Sequence, residues 1–201
     1  MSTSPQRKSG VSLEEFLRMP EIDEEAPYHE YNDGRIEAKA MPTRKHYYIS
    51  QGFVRRFDEF AGPEGLGLAG REIRHTFAGR SILPDAEFQL ADSVLLDPDG
   101  TPSDFVPIPP DIHVEVISTD QSVKKTHAKL LFSIAHGCTL GIMVHPEKQT
   151  IDIYRPNRPP ERLADDGAID FAPVLPGLVI PAVEVFGWMV VRLRMPGAEP
   201  A

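Results

Sequence analysis

Pro110-Asp111-Ile112-His113-Val114-Glu115-Val116-Ile117-Ser118 alternates polar and apolar side chains from Asp111 to Val116. Side chains of a strand point alternately to its two faces, so Asp111, His113 and Glu115 share one face and Ile112, Val114 and Val116 the other. Such a polar row is ordinary on a sheet edge that meets water. Here, however, the strand runs directly into a helix, where a sheet in an α+β fold is normally covered. Twenty-six residues upstream, Pro84-Asp85 opens a second strand. If the two strands are neighbours, the carboxylates of Asp85 and Glu115 converge. Two such groups within about 4–6 Å push one pKa upward unless a cation neutralises them. A hard divalent metal suits that role, because Mg²⁺ takes one or two protein carboxylates and keeps its waters for a substrate phosphate.

Upstream of this pair, Ser12 and Glu15 have capping-box spacing and Val11 is placed to staple the first turn, which predicts a short helix to about Met19. Asn32-Asp33-Gly34 between Tyr28–Tyr31 and Arg35–Ala38 predicts a β-hairpin. Tyr48, Ile49, Phe53, Phe57 and Phe60 recur at helical spacing, so a helix is expected from Arg44 to about Phe60, closed by Gly62-Pro63. Strands are expected near Glu72–Phe77, Ile82–Leu90 and Ile112–Ile117, with the proline-dense Asp97–Pro110 as a loop. A helix should follow from Gln121 to His136, capped by Thr119 or Asp120 and stopped by Gly137. Thr139–His145 and Thr150–Tyr154 form a second expected hairpin. Short strands near Phe171–Val174 and Leu178–Ile180 and a last element near Val183–Trp188 complete an α+β domain with a mixed sheet flanked by helices. The expected organisation is one domain over residues 10–190 between tails at 1–9 and 191–201.

Composition bounds the function. The 201 residues suit one domain, and 41% hydrophobic with 25% charged residues excludes wholesale disorder. The net charge of −9 argues against a strongly basic nucleic-acid binder, which needs clustered Lys and Arg for phosphate contacts. The single cysteine, Cys138, has no disulfide partner and no Cys-x-x-Cys motif, and reads as a buried, inert thiol. With no signal-like segment and no run of about 18 apolar residues, a cytoplasmic protein without membrane association is expected. His29, His46 and His75 lack zinc-enzyme spacing, and no glycine-rich stretch ends in the Lys-Ser/Thr of a phosphate loop.

A longer succession carries a resemblance. It comprises Glu30 to Gly34, Glu37, Met41-Pro42 and His46, then Leu83-Pro84-Asp85-Ala86-Glu87-Phe88 and Pro110 to Ser118. Lys129, Gly137, Gly141 to Pro146 and Leu175-Pro176-Gly177-Leu178 follow. In order and spacing this resembles the Uma-type family, catalogued as restriction endonucleases and earlier as a domain of unknown function. The resemblance spans roughly residues 11 to 187. It implies a restriction-endonuclease-like fold of the PD-(D/E)XK superfamily and metal-assisted hydrolysis of DNA phosphodiesters with Mg²⁺ or Mn²⁺. Asp85 and Glu115 would be the metal carboxylates, the Val116 backbone carbonyl a further ligand, and Glu30 an acidic residue completing the site. Ile117 stands where the superfamily lysine is expected; a lysine on the following helix takes over in this branch, and Lys129 aligns best, with Lys125 in reserve. His145 departs from the Asp common before the proline. A homodimer would let two copies address both DNA strands.

Blander readings stand beside these. His113 is either a ligand or general base or a hydrogen-bonded filler, Asp111 closes a turn, and Glu30 and Glu37 are solvated hairpin residues. For the whole chain, a catalytically degenerate binding or dimerisation module is the alternative to a DNA endonuclease, followed by a small-molecule metal hydrolase. Arg44-Lys45-His46, Arg55-Arg56, Arg71, Arg74, Arg80, Lys124, Lys125 and Lys129 offer a basic rim around an acidic pocket. With the acidic whole, that predicts weak, salt-sensitive DNA binding.

Overall fold

The computed structural model describes residues 10–22, 27–118, 121–163 and 166–191. The expected tails, apart from Val191, and the proposed caps Thr119 and Asp120 lie outside the described residues.

The expected first elements are present. Helix α1 (Leu13–Leu17) carries the capping box, with Glu15 N–H donating to Ser12 Oγ at 3.1 Å and Ser12 N–H to Glu15 Oε2 at 2.8 Å. The hairpin β1 (His29–Asn32) and β2 (Arg35–Ala38) turns at Asp33 and Gly34, both at positive φ as a tight two-residue turn requires. Helix α2 (Arg44–Ala61) starts at Thr43, whose side chain accepts from His46 N–H, and its buried stripe Ile49, Phe53 and Phe57 faces the core.

The middle of the chain holds five strands: β3 (Gly67–Gly70), β4 (His75–Phe77), β5 (Arg80–Ile82), β6 (Ala86–Leu90) and β7 (Ile112–Val116). The strand expected over Ile82–Leu90 is broken at Leu83-Pro84-Asp85. Proline has no N–H to give a ladder, and there the chain leaves a four-stranded sheet, β2-β1-β5-β4, and enters the central one. The strand expected from Glu72 begins only at His75, Glu72 itself sitting at φ 56°. Strand β3 was not among the expected strands. Its glycine has a packing reason: a Cβ on Gly67 would lie 2.0 Å from the Gln89 carbonyl oxygen on β6.

Helix α3 (Val123–Ala135) is capped by Ser122 and stopped by Gly137 at φ 118°. It crosses from β7 to the parallel strand β8 (Leu140–His145), which turns into antiparallel β9 (Thr150–Tyr154). With β10 (Glu161–Arg162), the central mixed sheet has the order β10-β9-β8-β7-β6-β3. Phe171–Val174 is not a strand. The strands there are β11 (Ala168–Asp170) and β12 (Val179–Pro181), and Phe171, Val174 and Leu175 are buried in the turn between them, so their apolar signal comes from core packing. Helix α4 (Ala182–Gly187) follows.

The two faces of the central sheet are covered differently. Ile112, Val114 and Val116 join Phe88 and Ile142 in the main apolar cluster with Ile49, Phe53 and Phe57 of α2. The opposite face, carrying His113 and Glu115, is covered by α3. All five residues of β7 are buried, so the polar row of the sequence lies inside the protein.

Two predictions follow from this packing. A Cβ on Gly52 would meet the Trp188 ring at 2.2 Å, and that ring stacks edge-on against Phe53 at 5.1 Å. Gly52→Ala should therefore destabilise the protein by about 1–3 kcal/mol. Urea unfolding monitored by the fluorescence of Trp188, the sole tryptophan, measures this. Cys138 is fully buried, and burial pushes its thiol up to about 12. The native protein should leave a thiol reagent unconsumed at pH 8 and take up one equivalent only when unfolded, as absorbance titration would reveal.

Candidate active site

The register of β6 on β7 places Ala86 opposite Val114, so the next pair along the ladder is Asp85 and Glu115. Asp85 N–H donates to the Val114 carbonyl at 3.1 Å, and Val116 N–H donates to Asp85 Oδ2 at 2.7 Å. The break at Pro84 thus turns Asp85 from a ladder residue into the cap of the ladder's end. Asp85 turns its Oδ2 to the Val116 N–H and to α2, while Glu115 faces α3.

Four further side chains converge on them. Lys129, on the inward face of α3, places Nζ 2.7 Å from Glu115 Oε1 and 2.6 Å from Glu30 Oε1. Glu30, from β1, also accepts the Leu83 N–H at 2.8 Å. Lys39, just after β2, lies 2.8 Å from Asp85 Oδ1 and donates to the Leu83 carbonyl at 2.8 Å. His46, in the first turn of α2, has Nε2 2.9 Å from Asp85 Oδ2. Three carboxylates, two ammonium groups and an imidazole are therefore gathered around the backbone of Leu83.

Beneath them, His113 bridges Glu115 Oε1, 2.7 Å from its Nε2, and Ser133 Oγ, 2.8 Å from its Nδ1. This is the hydrogen-bonded filler of the two sequence readings, placed directly behind a site carboxylate. Asp111 does more than close a turn, since its Oδ2 accepts the Leu90 N–H at 2.8 Å and ties the far end of β6 to β7.

Charge and burial oppose one another throughout the cluster. Burial works against ionisation of Asp85, yet Lys39, His46 and Lys129 hold its carboxyl well below the usual carboxylate range. Burial pushes Glu115 up to about 8, with Lys129 pulling down and Asp85 pushing up. Lys129 is held protonated against its own burial by Glu115, Glu30 and Asp85. Glu30 is lowered, Lys129 and Lys39 outweighing its burial. Burial, reinforced by Lys129, drives His113 well below the ordinary imidazole value. Glu115 Oε2 is buried without a hydrogen bond, while Asp85 Oδ1 is engaged by the Lys39 ammonium at 2.8 Å. Among the described residues no three His, Cys, Asp or Glu side chains are grouped as a metal-chelating set. The lysines supply the positive charge facing these carboxylates.

The structure brings Glu30, Asp85, Glu115 and Lys129 together, with Val116 adjoining them through its N–H. Lys125, four residues before Lys129, instead pairs with Glu37 at 2.8 Å at the mouth of the cleft. Ile117 has no place in the cluster: it packs against the apolar group of Leu130, Met143 and Tyr154 between α3 and strands β8 and β9. His145 pairs with Asp152 at 3.1 Å, away from these groups. Lys39 gave no motif signal in the sequence; its position one residue past a hairpin whose cross-strand partner acid is Glu30 is the cue that could have found it. His46 stood in the familial run without an assigned role.

The basic rim is smaller than the sequence suggested. Arg55 and Arg56 lie farther along α2 and pair with Glu59 and Glu184, Lys45 pairs with Glu147, and Arg74 is turned inward to Ser81 and the His29 carbonyl. Of the expected residues, Arg80, Lys125 and Lys129 line the cleft above the cluster, which has a volume of about 490 Å³. No helix among the described residues is long and apolar enough to cross a membrane.

Comparison with known proteins agrees with this architecture. A crystal structure described as a putative nuclease belonging to DUF820 from Anabaena variabilis superimposes with a TM-score of 0.86 at 28% identity, covering 90% of this chain and all of that one. The shared fold is the restriction-endonuclease-like α+β arrangement that the motifs imply. No curated protein matches the chain. The family described as Uma2, putative restriction endonuclease, matches residues 13–183, and the chain, with Asp85 at the entrance of β6 beside Glu115 on β7, belongs to that family.

Proposed function

We propose that this protein is a divalent-metal-dependent endonuclease that hydrolyses DNA phosphodiester bonds. The observation that carries the reading is the opposition of Asp85 and Glu115 at the end of one antiparallel ladder, with the Lys129 ammonium 2.7 Å from Glu115. Membership of a nuclease-like family supports it.

The donor set fits a hard cation. Glu115 Oε2 is a buried oxygen without a hydrogen bond and Asp85 Oδ1 is engaged by the Lys39 ammonium alone, and oxygen donors of this kind suit Mg²⁺ or Mn²⁺ once Lys39 yields its place. Asp85, Glu115 and the Val116 backbone carbonyl would hold it, with Glu30 alongside. The chemistry a bound ion supplies is polarisation of the scissile phosphate and a lower pKa for the attacking water.

The protein's own groups do the rest. Val116 N–H and His46 hold Asp85 Oδ2 in place, and Oδ1 is turned to the site, where the Lys39 ammonium meets it at 2.8 Å. His113 and Lys129 both engage Glu115 Oε1, leaving Oε2 free. Lys129 stays protonated and donates to the negative charge that develops on the phosphate. Glu30 and the Leu83 carbonyl aim that ammonium. A second reading, a binding module that has lost the reaction, is favoured by one observation: Lys39 and Lys129 already neutralise the carboxylates.

Nicking of supercoiled plasmid with Mg²⁺ or Mn²⁺ separates the two. The parent should nick, and Asp85→Ala, Glu115→Ala and Lys129→Met should each lose about 10²-fold or more, the scale of removing one transition-state donor. Parent-level nicking by either carboxylate variant would reject this site. A parent that neither nicks nor gives heat on titration with Mn²⁺ would establish the degenerate module. Lys129→Met should also cost about 3–5 kcal/mol of folding stability, because it strands buried acids. Adding Glu115→Gln should recover part of that loss in urea unfolding.

A further inference from the structure

Lys39 holds the oxygen that a cation needs. Its Nζ lies 2.8 Å from Asp85 Oδ1, and Asp85 Oδ2 is already taken by the Val116 N–H and His46. The other ammonium of the site stands differently, since Lys129 meets Glu115 at Oε1 and leaves Oε2 buried without a hydrogen bond. Lys39 is therefore the lysine that must give up its contact before a divalent ion can reach Asp85 Oδ1.

A second acceptor lies within reach of that ammonium. Glu72 Oε1 is 3.5 Å from Lys39 Nζ, and the Glu72 side chain is 26% exposed where that of Asp85 is 1%. Glu72 is fixed through its backbone. Its N–H donates to the Pro84 carbonyl at 2.9 Å, and its φ of 56° lies in the left-handed region, uncommon for a residue with a Cβ. The Lys39 backbone is fixed as well, its N–H donating to the Tyr28 carbonyl at 2.7 Å just past β2. Between these fixed ends, the flexible stem of a lysine lets the ammonium shift from the buried acid to the more exposed one.

Asp85 cannot be left alone, because a buried charge stripped of its partner is strongly destabilising. Lys39 leaves only in exchange for another cation. A free monovalent ion gains nothing over an ammonium already tethered beside its acid. Exchange for a divalent ion gains a second positive charge facing Asp85 and Glu115, while Glu72 receives the displaced ammonium.

We infer that Lys39 is a tethered placeholder for the divalent ion, released to Glu72 when the ion takes Asp85, so that Lys39 and Glu72 together set the metal affinity of the site. The inference rests on the metal-site part of the nuclease reading, and whether DNA is cut does not enter it.

The test measures Mn²⁺ binding to the metal-free full chain by calorimetry, and the rise in urea midpoint that Mn²⁺ gives, both without DNA. With the arrangement that frees Asp85 from Lys39 populated to about 10% or less, as minor states commonly are, apparent affinity falls at least about tenfold below the intrinsic one. Lys39→Met should accordingly bind Mn²⁺ at least about tenfold more tightly than the parent and gain more in urea midpoint from the same Mn²⁺. Folding of Lys39→Met only when Mn²⁺ is present would be the same result in its extreme form. Lys125→Met removes an equal but exposed charge from the same cleft and should change the affinity by less than about twofold. Glu72→Gln should weaken Mn²⁺ binding in the parent and have no effect in the Lys39→Met background, where there is no ammonium to receive. A gain for Lys39→Met no larger than that for Lys125→Met, or unchanged binding in Glu72→Gln alone, would overturn the inference. If Lys39→Met folds neither with nor without Mn²⁺, the Glu72→Gln variant alone decides. Tighter Mn²⁺ binding by Lys39→Met with no nicking by any form would uphold the inference while rejecting the nuclease reading. Nicking by the parent with no gain in Lys39→Met would do the reverse.

Discussion

The Lys129 ammonium is the contact on which the arrangement of this protein turns. It joins Glu30 of β1, Glu115 of β7 and the Leu83 carbonyl, and so links the small sheet, the central sheet and α3 at a single atom. A charge drawn largely out of water in this way is tolerable only with its partners in place. The small sheet is consequently positioned by electrostatics as well as by its apolar cluster of Phe16, Ile22 and Tyr31. Lys39 repeats the arrangement on the other side of Leu83, engaging the same carbonyl and Asp85. The backbone of Leu83 thus serves as a common node, available because Pro84 interrupts the strand there and frees Leu83 from ladder pairing with the central sheet.

Much of this was legible in the sequence, and the parts that were share a cause. The capping box at Ser12, the Asn-Asp-Gly turn, the α2 stripe and the β8–β9 hairpin are local signals, fixed by residues within a few positions of one another. The alternation of Asp111 to Val116 was local too, and it assigned the two faces of β7 correctly. The misreadings are non-local. Strand β3 forms because a glycine lets it approach β6, Phe171–Val174 looks like a strand because a turn is buried, and Ile82–Leu90 serves two different sheets. No periodicity within those segments reports the partner that decides them.

The same division holds for the site. Asp85 and Glu115 come together by ladder register, which a sequence can suggest once two strands are assumed to be neighbours. Lys129 and Glu30 were marked out by family resemblance, and the structure places the Lys129 ammonium 2.6 Å from Glu30 and 2.7 Å from Glu115. Lys39 and His46 reach the cluster from a strand end and a helix start that only the tertiary fold brings near Asp85. Their residue types carry no signal in isolation, since a lysine after a hairpin and a histidine in a first helical turn are ordinary surface features.

The acidic balance of the chain bears on how such a site could meet a polyanion. A net charge of −9 repels nucleic acid at long range, and the arginines and lysines that suggested a broad basic rim are largely taken up in pairs of their own. The cations of the cleft are paired as well, Arg80 with Asp33, Lys39 with Asp85, Lys125 with Glu37 and Lys129 with Glu30 and Glu115. The field of such pairs is short-ranged, because exposed charges beyond about 8–10 Å are screened at physiological salt. Capture by long-range steering is therefore weak, and a polyanion would gain from the cleft's cations only by displacing the acids paired with them, most readily Glu37 from the exposed Lys125.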